Sequence, residues 1–169
     1  MGLLKSFVDS FFVFWAGFIM IMVALDVRAV VLRELPPLIN YYYAGDLLLR
    51  SPYEVFFKFN FNFEYVTGLI VLIVSAILLG ILTKSGLDVL WDTLIYTILI
   101  TLFAISIDKI VVLAMSGTTD IGTLISQIPN PREKAIGALL VLVFSFAFIL
   151  VGRSYAREKE EEPFKEIEL

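Results

Sequence analysis

Hydrophobic and polar positions sort this chain into four long apolar blocks, at residues 10–32, 65–83, 93–115 and 135–151, with charge, proline and glycine concentrated between them. A bilayer core takes roughly 17 to 25 helical residues to cross, and the second and fourth blocks contain no charge. Lipid offers no partner to a backbone N–H or C=O, so each block must be helical. The pattern predicts an all-α integral membrane protein with four transmembrane helices in a single membrane domain over residues 1–169. A long aromatic connection separates helices one and two, and a charged C-terminal tail occupies 153–169.

Helix starts are marked by capping patterns. Ser51-Pro52-Tyr53-Glu54 reads as a capping box with proline at the first helical position, so helix two is expected to begin near Pro52, ahead of its membrane core. Asn130-Pro131-Arg132-Glu133 repeats the pattern before helix four, and Ser85 with Asp88 opens helix three. The short Lys84-Ser85-Gly86 link makes helices two and three antiparallel neighbours. A helix over 52–83 would be about 48 Å long at 1.5 Å per residue, so its first part lies at the headgroups. That part, 56–65, alternates Phe with polar residues like a strand, but a lone strand leaves its edges unpaired. A helix is therefore expected there, with a hairpin as the alternative. Together with Tyr41, Tyr42 and Tyr43 it forms an aromatic collar, read as an interfacial anchor, and Pro36-Pro37 separates helix one from it.

Two further segments need a decision. Lys5 ahead of the apolar run 11–25 resembles a signal peptide, but bulky Phe and Trp fill a run too long for one, so it is read as an uncleaved first span. The fourth helix is expected to continue past Arg153 as a solvated stalk until Pro163, and 116–127 to be a loop with at most a helical turn.

Composition narrows the chemistry. The hydrophobic share of 59% is above the soluble norm, and the chain has neither histidine nor cysteine. That removes the usual ligands for haem, zinc, copper and iron–sulfur clusters, and imidazole or thiol catalysis with them. No cofactor, no metal site and no catalytic residue are expected, and no Gly-rich phosphate loop is present. The formal charge of -4 comes mainly from the C-terminal run at 158–162 with Glu166 and Glu168, and without a basic patch no nucleic-acid partner is expected.

Chemistry inside the membrane would have to come from ionisable residues there. Asp108 and Lys109 interrupt the third block, and Asp26 and Arg28 sit in the last turns of the first. The two pairs fall at the same depth, which predicts an ionic cluster in which Arg28 bridges to Asp108 and Asp26 pairs loosely with Lys109. Separate snorkelling to the headgroups is the alternative. Thr93, Thr97, Thr101, Ala104 and Asp108 fall within about 80° of arc on helix three, a narrow polar stripe ending at a carboxylate. The stripe suits either close helix packing or a cation or proton path.

The order of features resembles the small membrane proteins of the phosphate-starvation-inducible PsiE family. The resemblance rests on a lone first span, a long aromatic connection, Phe63-Glu64-Tyr65 leading into span two, Ser106-Ile107-Asp108-Lys109 closing span three, and a short last span before a charged tail. An Asp-Lys pair stands where the family has an arginine. The resemblance implies a multi-pass protein of a prokaryotic plasma membrane linked to phosphate limitation, without a reaction and without site residues to carry over. Two other readings stay open: a cofactor-free accessory subunit of a larger respiratory or ion-translocating complex, and an ion-conducting homo-oligomer. Membrane lipids are partners in all three. Flanking Lys and Arg divide six against six between the two sides, so both termini are placed in the cytoplasm on the strength of the charged stalk and the family arrangement.

Overall fold

A computed structural model describes residues 2–35, 40–105, 107–117, 120–126 and 128–165. The described chain is helical: α1 Gly2–Leu32, α2 Tyr41–Phe56, α3 Phe63–Leu82, α4 Gly86–Ala104, α5 Ile107–Met115, α6 Ile121–Ser126 and α7 Pro131–Lys165. Four of these, α1, α3, α4 and α7, are long and apolar enough to cross a membrane. They pack as a bundle, so the chain is a small polytopic membrane protein of the expected class.

Chain direction follows from contacts at the two ends. Lys5 Nζ donates to the Leu82 carbonyl, and the Arg153 guanidinium packs on Gly86, so α1 starts where α3 ends, at the tight α3–α4 turn. At the opposite end Arg28 lies 3.9 Å from Glu64, and Lys134 reaches the end of α4 at Ala104. Hence α3 and α7 run parallel to each other, and α1 and α4 run the other way. The α3–α7 contact is the most extensive in the molecule. It is set by two glycines in register: a side chain at Gly80 would overlap the Ile149 carbonyl, and one at Gly152 would overlap the Ile77 carbonyl. Small residues let the backbones meet, which in lipid replaces the missing hydrophobic drive between helices.

The aromatic connection holds an additional helix. α2 packs on α3, α4 and α7, and nine of its sixteen residues are buried. Sixteen residues extend about 24 Å, yet its backbone meets α3 at Gly68, α4 at Phe103 and Ala104, and α7 at Gly137. All four positions lie within two turns of the same end of the bundle. α2 therefore lies across that end as a plug, with Leu47, Leu48 and Leu49 buried beneath it.

This arrangement corrects several sequence expectations. Ser51 and Pro52 do not start a helix; they are interior to α2, whose cap is Asn40, accepting from the Tyr43 N–H at 2.8 Å. Helix two is not continuous from Pro52 to Thr83. α2 stops at Phe56, because Phe59 adopts a left-handed backbone (φ 52°) and the Asn60 N–H turns back to the Glu54 carbonyl at 2.9 Å, a Schellman-type ending. Residues 57–62 then lead non-helically into α3, with no strand among the described residues. The third span is Gly86–Ala104 rather than 93–115, and the chain breaks at Ile105. There Gly45 of α2 abuts the Ala104 N–H, so close that a Cβ would sit 2.8 Å away, and Lys134 of α7 donates to the Ala104 carbonyl. The first span begins at Gly2, not Ser10, and α7 runs on to Lys165. Other markers hold. The Ser85/Asp88 box opens α4 with both hydrogen bonds formed, α7 starts at Pro131 directly after Asn130, and α6 supplies a short helical segment within 116–127.

The tyrosines of the expected collar are not free anchors. Tyr41 meets the Phe103 ring edge-on, Tyr42 lies under the Lys134 ammonium, and Tyr43 donates to Glu64. At this level Phe57, Phe59 and Phe61 are each more than half exposed, which suits them to the headgroup region.

Candidate functional site

The plug end carries a continuous ionic ladder. Asp46, Arg50 and Glu54 recur every four residues on α2 and stack on one face of the helix, and Lys58, two residues past its end, continues the spacing. Arg50 bridges Asp46 at 3.6 Å and Glu54 at 3.2 Å, and Lys58 joins Glu54 at 2.9 Å and Glu133 of α7 at 3.7 Å. Glu54 is buried, and Asn60 adds a third donor at 3.2 Å. Burial alone would raise its carboxyl; the hydrogen bonds from Lys58, Asn60 and Arg50 outweigh burial and hold it below the usual carboxylate range. Lys134 completes the cluster from α7. Its buried ammonium donates to the Ala104 carbonyl at 2.5 Å and lies 3.3 Å from Asp46. It thereby places a cation at the C-terminus of α4, where unpaired carbonyls concentrate negative potential.

Beside the ladder, Arg28 pairs with Glu64 at 3.9 Å and sits over the Phe63 ring, while Tyr43 donates to the same carboxylate at 2.9 Å. Burial, reinforced by Glu64, pushes the Tyr43 phenol above its ordinary value. The described partner of Arg28 is Glu64; the expected bridge to Asp108 lies outside the described side chains. The side chains of Asp108 and Lys109 lie outside the described residues, and with them the expected Asp26–Lys109 pair. Their backbone belongs to α5, beyond the break at Ile105, so they do not interrupt the third span.

The threonine stripe divides. Thr93 donates to the Val89 carbonyl at 2.6 Å and Thr101 to the Thr97 carbonyl at 2.8 Å, each one turn back on α4. Those hydroxyls serve helix packing. The Thr97 hydroxyl is buried without a partner, as are those of Ser10, Ser75, Tyr96 and Ser145. These five come from all four spans and occupy the middle of the bundle. Above them Phe14, Leu48, Leu72 and Ile100 are buried without exposure, so a layer of apolar side chains separates the hydroxyls from the ladder.

At the turn end, Asp92 is a buried acid inside α4. Thr83 Oγ1 lies 2.5 Å from its Oδ2, and Ser6 of α1 borders the same carboxyl. The apolar pattern leaves Asp92 outside the third block, which starts about two turns after the start of α4 and ends about three turns after its end. The other surface feature is an apolar groove of about 370 Å³ between α4 and α7, lined by Leu90, Thr93, Leu94, Leu142, Val143 and Phe146. Comparison with protein-family models, curated proteins and solved structures finds no match to this chain.

Proposed function

We propose that this chain works as a stand-alone, non-enzymatic membrane protein of the PsiE-like kind, in the response of a prokaryotic cell to phosphate limitation. The observation that supports a stand-alone role is the closure of the plug end. Arg28, Arg50, Lys58 and Lys134 each pair with a carboxylate of the same chain, so these four cations need no second protein to neutralise them. The link to phosphate limitation rests on the PsiE-like order of features in the sequence. The start of α1 lies at the turn end and α7 leaves the bundle there, and in this reading that side is the cytoplasm.

Native mass spectrometry of the protein extracted in mild detergent tests the first part: a monomer or homo-oligomer is expected, and a stable complex with other gene products refutes it. Growth of a deletion strain under phosphate limitation tests the second part, and growth equal to the parent refutes it. A reporter fused after Leu169 is expected to be active only in the cytoplasm. The accessory-subunit reading is favoured by one observation, the apolar groove between α4 and α7, which has room for the side chains of a neighbouring helix.

A further inference from the structure

The Asp92 carboxyl has an unusual set of neighbours. It is almost fully buried, and its Oδ1 atom has no hydrogen-bond partner. Its Oδ2 atom lies 2.5 Å from Thr83 Oγ1, which in turn lies 2.8 Å from the Leu79 carbonyl. A hydroxyl has one hydrogen, so it can donate to only one of these two oxygens. The Leu79 carbonyl has the stronger claim. Leu79 is fully buried, and the Thr83 N–H, which would normally bond it, turns instead to the Gly80 carbonyl at 3.2 Å. With the Thr83 hydrogen committed to Leu79, the remaining short O···O contact needs a hydrogen from Asp92. A chain in which the Asp92 O–H donates to Thr83, and Thr83 donates to Leu79, satisfies Oδ2, the Thr83 hydroxyl and the Leu79 carbonyl, and leaves Oδ1 as the uncharged carbonyl oxygen of the acid. An ionised Asp92 would leave either a close contact between lone pairs or an orphaned carbonyl.

The surrounding charges do not offer an ionised Asp92 a counterion. On α1, Lys5 is engaged by Asp9 at 3.1 Å and by the Leu82 carbonyl at 3.0 Å. One turn before Asp92, Asp88 adds a second acid, held in the capping box with Ser85. On the side of α7, Arg153 packs on Gly86, more than a turn from Asp92. Lys84 belongs to the α3–α4 turn and forms no ion pair within 4 Å among the described residues. Isolated ionised carboxylates are not retained in apolar surroundings; such a group takes up a proton instead. Asp92 also sits one turn from Tyr96 on α4, whose buried hydroxyl lies beside Ser75 without a well-formed hydrogen bond. The acid therefore stands between the aqueous turn and the hydroxyl cluster in the middle of the bundle.

We propose that Asp92 is a proton-binding site within the membrane, occupied at neutral pH and formed with Thr83 and the Leu79 carbonyl. It is distinct from the ionised ladder at the plug end, and it does not depend on any role in phosphate limitation. Infrared spectroscopy of the full-length protein in lipid nanodiscs tests it directly. The wild type is expected to show a protonated-carboxyl C=O stretch at pH 7 that moves on exchange into D₂O and is absent from Asp92→Asn. Thr83→Val, which removes the acceptor but keeps the acid, is expected to retain the band and shift it toward a carboxyl without a hydrogen bond. That second variant keeps the test valid if the first folds poorly. A wild-type spectrum at pH 7 with no such band, or a band unchanged in both variants, overturns the proposal. So does a band that sodium chloride abolishes while potassium chloride does not, because Asp92 would then be a carboxylate ligand of a small cation.

Discussion

Lys134→Met probes the plug end most directly, because methionine keeps much of the apolar stem and removes only the ammonium. Three interactions are lost with it: donation to the Ala104 carbonyl at 2.5 Å, the pair with Asp46 at 3.3 Å, and the position over the Tyr42 ring at 5.1 Å. A buried carbonyl left without a donor costs about 1 to 3 kcal/mol, and a cation at a helix C-terminus contributes about 0.3 to 1 kcal/mol more. Stranding one partner of a buried pair costs roughly 3 to 5 kcal/mol. That full cost does not apply here, since Asp46 retains Arg50 at 3.6 Å. Relief from burying an ammonium offsets part of the rest. The expected loss is about 2 to 4 kcal/mol. It can be read from denaturation in mild detergent, followed by the fluorescence of Trp15 and Trp91. Asp46→Asn in the Lys134→Met background should cost less than it does alone. A loss under about 0.5 kcal/mol, or singles and double that add within that margin, would refute the reasoning.

The position of the true cap predicts that Asn40→Ala costs about 0.5 to 2 kcal/mol. Ser51→Ala costs less, since the Leu47 carbonyl that Ser51 contacts lies inside α2 and keeps its helical bond; equal losses in denaturation would return the helix start to Ser51. Gly152→Val puts a Cβ into the Ile77 carbonyl and should cost at least the roughly 1 to 3 kcal/mol of an overpacked core, whereas Gly122→Ala on α6, where a Cβ would meet the Asp120 carboxylate only at ordinary van der Waals distance, should be nearly neutral. Glu54 titrates below its unfolded value, so its contribution is complete above about pH 4.3 and is lost as pH falls through that value and below it. Acid melting curves of the wild type should show this fall and those of Glu54→Gln should not; parallel curves would remove Glu54 from the ladder.

The four spans were legible because apolar length is a one-dimensional property that the bilayer enforces. The start of α4 was legible because the pairing of Ser85 with Asp88 is local. α2 was not, although its signal is present: Asp46, Arg50, Glu54 and Lys58 recur every four residues opposite Leu47, Leu48 and Val55. Ser-Pro-x-Glu obscured it, since this quartet reads equally as a first turn or as the interior of a helix that tolerates one missing N–H. The end of α4 could not be read at all. Residues 93–115 are continuously helix-compatible, and the contacts that meet the chain at the break come from Gly45 and Lys134, which are 60 and 29 residues from Ile105 in sequence. With the span placed too late, Asp92 fell outside the third block and Asp108 inside it, whereas Asp92 belongs to α4 and Asp108 to α5 beyond the break.

The two ends satisfy buried acids by opposite means, and the reason lies in the local supply of cations. At the plug end the four-residue periodicity of α2 delivers a basic side chain next to each acid, and α7 adds Lys134, so the carboxylates stay ionised. At the turn end the nearby lysine is engaged by Asp9 and a carbonyl, and the groups beside Asp92 are hydroxyls. Hydroxyls accept as readily as they donate, so they suit a neutral acid as well as an ionised one, whereas an ammonium can only donate and fixes its partner as an anion. Salt should therefore loosen the partly exposed ladder, where charges are screened over about 8 to 10 Å, and leave the Asp92–Thr83 contact unchanged. Hydrogen exchange of α2 amides is expected to quicken with ionic strength while that of 88–96 does not. A uniform response along both segments would mean that the two ends are held by the same kind of interaction.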